Sequence, residues 1–502
     1  MSIFDPAERR AQIVPAIVAI AVYAIAVRNG FAYDDVAIVV QNERIHHWAT
    51  LISALAAPYW YNTGHLYRPL TTLAFGVEWI LSNGSPLLFH LVNICWHAGV
   101  SALVARLTLR WWSPTAGLGA GLWFAIHPVH VEAVANVVGR SELVCAAALI
   151  GVALVASASS GTSDDKLHPE PGAHGQRRDA GNAQLLLAGL LSAVALASKE
   201  TGIAAPVIAW AAAWTRLTTS GRPAGELRER AWRMTAASTI GVSVMVAIRY
   251  VLLGSLAGDQ PHPAFIVSRA GHDGLLLALA SLPRSVGIAL VPQLPRPDYS
   301  PTDSALLHPN VALVVCGAAL FVLAIAVAVV HAWRPSPWTF AGVFAVATFA
   351  PVSNVIVPTG VVIAERTLYS PSVGVALVFG AGVAAVWRAI RGFTGSARIR
   401  QTVAVAGAAL VVALVAALSI LETETSIPVW RNNATIFAAV RSRAPDSYRG
   451  YFLEADAERD RGEVAGAHRD YGLAIARFSG DVALLHHAGL NALAAHDTAA
   501  SL

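Results

Sequence analysis

Apolar residues run along this chain in long continuous stretches, set apart by short polar junctions. The stretches at 13–27, 185–197, 311–330 and 403–421 hold no Asp, Glu, Lys or Arg. About 20 apolar residues in a helix cross a bilayer. A membrane barrel would instead alternate apolar and polar positions in segments of roughly ten residues. The pattern predicts a mainly α, polytopic transmembrane bundle of about 11 spans: 11–27, 88–108, 115–130, 137–157, 184–198, 202–216, 234–254, 307–330, 338–357, 371–388 and 401–421. Two shorter apolar runs predict loop helices, a surface or re-entrant one at 71–81 and an interfacial one at 275–290. The first run follows Arg9 and Arg10, and Phe31-Ala32-Tyr33 lacks the small residues of a cleavage site, so it reads as a retained helix.

Charge then orients the bundle. With the N-terminus inside, one set of loops carries Arg106 and Arg110, then Lys166, Arg177 and Arg178, then Arg216, Arg222, Arg228, Arg230 and Arg233. Arg334 and the Arg388, Arg391, Arg398, Arg400 group complete that face, as the positive-inside rule expects. The loop at 159–181, rich in Gly, Ser and Asp, reads as a flexible cytoplasmic excursion. The regions 29–87, 254–305 and everything after 421 fall outside the cytoplasm.

Beyond 443 the chain turns polar and keeps helical periodicity. Tyr451, Ala455, Ala467, Tyr471 and Ala474 fit one tetratricopeptide unit, with Asp460-Arg461-Gly462 as its interhelix turn. A second unit would begin near Asp481, with Gly489 as its small residue. A helical hairpin packed on the membrane domain fits the same residues. The expected division is a membrane domain at 1–421, a linker at 422–443 and a short tetratricopeptide-like helical tail at 444–502.

Composition narrows the class. AVILMFWYC residues make up 55% of the chain and charged residues 13%, against roughly a quarter charged in soluble domains. The net charge of +4 comes from loop bases between spans, which leaves no nucleic-acid surface. Cys95, Cys145 and Cys316 all fall in apolar runs, so neither a disulfide framework nor a zinc site is expected.

Candidate chemistry gathers at the external junctions. Asp34-Asp35 follows the first span. A carboxylate there could take a proton from a hydroxyl, hold a divalent cation, stabilise positive charge on a sugar, or cap a helix. Arg68, Lys199 and Arg366 suit phosphate oxygens. Lys199 and Glu200 also read as a local pair. His90, Asn93 and His97 share one helical face and predict a buried hydrogen-bond network. His127, His130, Glu132, Asn136, Arg140 and Glu142 follow in one run, and Glu365 precedes Arg366. His130 and Glu132 alone make a weak zinc pattern, and an oxygen-liganded divalent cation stays open. All these groups fall on one side of the membrane, which predicts a cleft fed by a lipid substrate.

The ordered stretches FAYDDVAIVVQNERI, YRPLTTLAFGVEWI, GSPLLFHLVNICWHAG, GLWFAIHPVHVEAVANVVGRSEL, LASKETGI and AERTLYSPSVG resemble the transmembrane and tetratricopeptide repeat-containing O-mannosyltransferases of the GT-C glycosyltransferase superfamily. The resemblance covers roughly residues 25 to 380. It implies a GT-C-like fold and a polyprenyl-phosphate sugar donor, mannose being the usual sugar. It also implies an extracytoplasmic hydroxyl acceptor, on protein Ser or Thr or on a glycan, and inverting displacement at C1. The base falls on Asp34 or Asp35, with Asp35 preferred. Arg68, Lys199 or Arg366 would stabilise the leaving phosphate. His127, His130, Glu132, Arg140, Glu142 and Glu365 would orient donor or acceptor. No metal is required by that mechanism. The tail departs from the family's long repeat array and could recruit a protein partner. The Ala- and Arg-rich composition suggests a bacterial inner membrane. A transporter or flippase of a lipid-linked sugar, or a non-catalytic assembly factor, are the competing functions.

Overall fold

The computed structural model describes residues 5–60, 66–158, 173–221, 223–255, 272–300, 302, 310–359, 361–391 and 398–495, with the side chains of 173–180, 272–273 and 398–401 excepted. Most of the loop expected at 159–181, Lys166, Arg222 and the tail beyond 495 lie outside these residues. So do the side chains of Arg177, Arg178, Arg398 and Arg400. Among the described residues the secondary structure is helical, with no strand.

The membrane part begins with α1 (Pro6–Tyr23), α2 (Trp48–Ala54), α3 (Pro69–Ser82), α4 (Pro86–Leu109), α5 (Pro114–Ile126), the short α6 (Val131–Ala135) and α7 (Arg140–Ala156). It continues with α8 (Ala173–Ser198), α9 (Ala205–Thr219), α10 (Ala224–Leu253), α11 (His272–Leu290), α12 (Val311–Trp333), α13 (Pro337–Phe349), α14 (Pro371–Arg391) and α15 (Arg398–Ser426). Proline opens several of them, at Pro6, Pro69, Pro86, Pro114 and Pro337. The first turn of a helix has no intrahelical use for that N–H, so proline fixes φ there without losing a bond. Asp5, Ser113 and Ser336 cap the exposed N–H groups. Asn83, in the left-handed conformation (φ 52°), stops α3.

Among the described residues, eight helices are long and apolar enough to cross a membrane. The chain is a multi-pass membrane protein. Three of the eleven expected spans are shorter: α5 and α13 have 13 residues each and α9 has 15. Each is cut off by a 3-10 turn, at Pro128–His130, Ala350–Val352 and Glu200–Ala204. Two of those turns carry the polar residues of the candidate site, so the backbone leaves the helical path where charge enters. The run at 71–81 is a true helix, within α3, and the one at 275–290 lies within α11.

α4 is central and packs on α1, α5 and α7, while α14 packs on α5 and α13. That second packing is close. A methyl group at Gly380 would run into the Ala116 carbonyl, and one at Gly374 into the Ala341 carbonyl. Small residues bring membrane helices together where no hydrophobic force separates lipid from side chain. α12 and the helix spanning Thr402–Arg431 turn nearly all their apolar surface outward, with Val315 62% and Val411 59% exposed. Lipid is the solvent that suits such faces.

Residues 422–443 are helical except at Asn432, which is extended and caps the helix that follows. α15 runs to Ser426, a 3-10 turn spans Ile427–Arg431, and α16 spans Asn433–Arg443. Ile427 and Trp430 are buried in the main core. The tail follows as α17 (Tyr448–Asp460), α18 (Val464–Ile475) and α19 (Val482–Ala494). Ala455, Ala467, Tyr471 and Ala474 form its core. Gly462, at φ 78°, makes the turn between α17 and α18.

Candidate functional site

The acidic pair sits on a strap-held turn. After α1 the chain crosses to residues some 400 positions later. The Asn29 side-chain amide donates to the Ile427 carbonyl (3.0 Å), Gly30 N–H to the Arg431 carbonyl (2.9 Å), and Tyr33 N–H to Asn433 Oδ1 (2.7 Å). Tyr33 has φ 56°, a left-handed conformation that a bulky residue adopts only when its surroundings enforce it. This turn sends the two carboxylates different ways. Asp35 is 1% exposed and accepts from Val138 N–H (2.9 Å), Ala32 N–H (3.2 Å) and Val137 N–H (3.3 Å). Burial pushes its carboxyl up to about 7 against the pull of those donors. Asp34 keeps 15% of its side chain exposed and pairs with Arg366 at 3.0 Å.

Arg366 joins two acids. Its Nη1 also lies 3.2 Å from Glu132 Oε1, and its backbone N–H donates to Glu132 Oε2 (2.9 Å). Burial opposes the guanidinium charge, but Asp34 and Glu132 outweigh it and hold the arginine above its ordinary value. Lys199 forms a tight ion pair with Glu142. Arg68 grips Glu200 with Nε (3.1 Å) and Nη2 (2.6 Å). Burial pushes the Glu200 carboxyl up, yet Arg68 and Lys199 prevail and hold it at about 2. The expected local pair between Lys199 and Glu200 is therefore replaced by two longer-range pairs. Lys199 has extended backbone (φ −158°, ψ 149°), which points successive side chains to opposite sides.

No family model matches the chain. The human protein O-mannosyl-transferase TMTC4 is 34% identical over 224 residues, 38% of this chain and 28% of that protein. The mouse protein O-mannosyl-transferase TMTC3 is 31% identical over 180 residues, 35% of this chain and 18% of that protein. Over these stretches the chain is similar to protein O-mannosyl-transferases. The match spans less than a third of either relative's length. A solved structure, the Archaeoglobus fulgidus oligosaccharyltransferase tethered with an acceptor peptide, aligns with 92% of this chain and 58% of its own at 13% identity and a TM-score of 0.48.

The other expected site residues divide into two groups. Arg140 is fully buried. It donates to Glu78 Oε2 (3.0 Å) and the Phe89 carbonyl (2.8 Å), and makes tight contacts with Glu78 Oε1 and Asn93 Oδ1. His130 uses Nδ1 on the Phe124 carbonyl (2.8 Å) and Nε2 on Ser372 Oγ (2.8 Å). His97 meets the Tyr369 hydroxyl at 2.9 Å. His127 stacks 4.3 Å from Trp123. The polar atoms of Arg140 and His130 are thus used inside the bundle, and His127 is only 1% exposed. Glu365 stands elsewhere, accepting from Arg296 N–H (2.8 Å) and the Tyr299 hydroxyl. Burial pushes its carboxyl up to about 8. With Glu132, Arg296, Arg443, Ser426 and Trp430 it lines a narrow cleft.

No group of three or more His, Cys, Asp or Glu among the described residues is arranged to hold a metal ion. Sequence reasoning missed Glu78, Arg296, Tyr299, Asn433 and Arg449. Glu78 stands within the stretch YRPLTTLAFGVEWI, and the other four lie in segments whose nearness to the site is set by tertiary folding.

Proposed function

We propose that this protein is a membrane glycosyltransferase that moves a sugar, mannose by its relatives' name, from a polyprenyl-phosphate donor to an extracytoplasmic protein hydroxyl. One observation carries the reading. At the end of an apolar bundle, beside a chain of acid–base pairs, the partly exposed Asp34 carboxylate is held by Arg366. The acceptor hydroxyl attacks C1, its proton passes to Asp34, and the new C–O bond forms as the C1–O bond to phosphate breaks. The electron pair stays on the phosphate oxygen and the configuration at C1 inverts. Asp34 is assigned ahead of Asp35, against the preference drawn from sequence, because Asp35 has both oxygens occupied by backbone N–H groups and almost no exposure. Asp35 instead fixes the turn against residues 137–138. The arginine-rich loops put the site on the extracytoplasmic face, in an inner membrane if the source is bacterial. Residues 1–421 carry the catalytic base, and α17–α19 form a short tetratricopeptide-like element.

The test is transfer from radiolabelled polyprenyl-phosphate mannose to extracted membrane proteins and glycans by the full chain in lipid. Asp34→Asn should lose about 10²-fold or more in transfer with little change in melting temperature, the size expected for a general base. Asp35→Asn should instead lower the melting temperature. Wild-type transfer by Asp34→Asn would sink the assignment.

A further inference from the structure

The cations that the sequence offers to a donor phosphate are already neutralised. Arg68 is taken by Glu200, Lys199 by Glu142, and Arg366 by both Asp34 and Glu132. Carboxyl groups outnumber these cations, so an anionic donor meets an excess of negative charge. Drawing the phosphate onto Arg366 would leave Asp34 and Glu132 without their partner, and a buried carboxylate stripped of its partner is costly.

Arg449 stands differently. It lies in the first turn of α17, just after the capping Ser447. Its guanidinium carbon sits 5.7 Å from the ring centroid of Tyr33, the residue before Asp34. Among the described residues no acid comes within ion-pair distance of it. Asp298, the acid beside this helix end, is engaged by Ser447 Oγ (2.6 Å) and Ser300 Oγ (3.0 Å). The first turn of a helix carries the positive end of its dipole, so an unpaired cation there is placed against local preference. Tyr33, Asp298 and Asp34 nevertheless act on it strongly enough to hold the guanidinium above its usual value despite burial. Its position relative to Asp34 is fixed from three sides. Asn433 holds Tyr33 N–H (2.7 Å), Arg443 donates to the Pro295 carbonyl (2.9 Å) and Ser426 Oγ (3.0 Å), and Ser447 reaches Asp298.

We propose that Arg449 takes the anionic phosphate of the lipid-linked donor, so that the polar tail supplies part of the donor site. This rests on the donor reading given above. As the C1–O bond breaks, the phosphate gains negative charge, and a guanidinium with free donors can form charge-assisted hydrogen bonds to it. The pairs of Arg68 with Glu200, Lys199 with Glu142 and Arg366 with Glu132 then stay intact while Asp34 takes the proton.

The experiment compares binding of farnesyl phosphate with that of uncharged farnesol to the full chain in lipid nanodiscs. Wild type should prefer the phosphate. Arg449→Gln should weaken phosphate binding about tenfold or more, on the scale of one lost charged hydrogen bond, with farnesol unchanged. Arg449→Lys should restore most of the preference. If Arg449→Gln fails to fold, Arg449→His carries the test: its phosphate preference should rise as pH falls from about 8 to about 6, following imidazole protonation. A preference that survives Arg449→Gln, that stays flat with pH in Arg449→His, or that is lost only in Arg296→Gln overturns the assignment alone. A wild type that binds both lipids equally overturns the donor reading and this inference with it.

Discussion

Glu365 and Glu200 are both carboxyls at polar junctions, and their environments push them in opposite directions. Burial of Glu365 outweighs the opposing pull of the Tyr299 hydroxyl and the Arg296 N–H, so its carboxyl keeps its proton up to about pH 8. Below its unfolded value of about 4.5 it is protonated in both states. Between there and pH 8 only the unfolded chain releases the proton, so stability falls as pH rises through that window. Glu365→Gln keeps an oxygen for Arg296 N–H and Tyr299 but has no proton to lose. Its melting temperature in detergent should therefore fall less between pH 5 and 8 than that of wild type. Glu200, held at about 2 by Arg68, has the opposite sign. Its stabilisation is present above about pH 4.5 and is lost as pH falls toward 2, and Glu200→Gln should flatten that acid limb. A parallel melting profile for either variant would contradict the corresponding carboxyl environment. None of this was legible in the sequence. Glu365 and Glu200 each stand in a short polar junction, and only the fold supplies Tyr299 to one and Arg68 to the other.

Helix contacts show which parts of the pattern could be read in advance. The eight long apolar helices follow from continuous runs, because length and lack of charge need no partner to interpret. The three short helices do not, since their runs continue as apolar sequence into 3-10 turns, two of which carry residues of the candidate site. Close contact was equally hidden. Gly380 and Gly382 stand two residues apart on α14, yet only Gly380 lies against the Ala116 carbonyl, and a methyl group at Gly382 would meet nothing within 4 Å. Gly380→Leu should lose about 1–3 kcal/mol from overpacking, read as a lower melting temperature, while Gly382→Leu should leave it nearly unchanged. Equal effects would remove the packing argument. The buried pair of Arg140 with Glu78 ties α7 to α3. Glu78→Ala should cost about 3–5 kcal/mol because it leaves a buried guanidinium uncompensated.

Over the whole molecule, the site is assembled from both ends of the described chain. Loop charge asymmetry predicts from sequence that the polar junctions share one face; the structure shows that Asp34, Glu132 and Arg366 meet. The role of residues 427–449 was not legible, because their link to residues 29–33 consists of backbone carbonyls, one asparagine and one cation–π contact. Asn433→Ala should lower kcat about tenfold with KM little changed, since it frees the turn that aims Asp34. Asn433→Asp, which retains the accepting oxygen, should recover most of that loss. A change confined to KM would mean that the strap does not position the base. The same strap bears on the order of synthesis. The turn before Asp34 emerges early from the ribosome, but the residues that clasp it are made some 400 positions later. A partly translated chain, however many helices it has already inserted, holds an unfinished acidic turn and should stay silent toward substrate until α16 and α17 have crossed and docked.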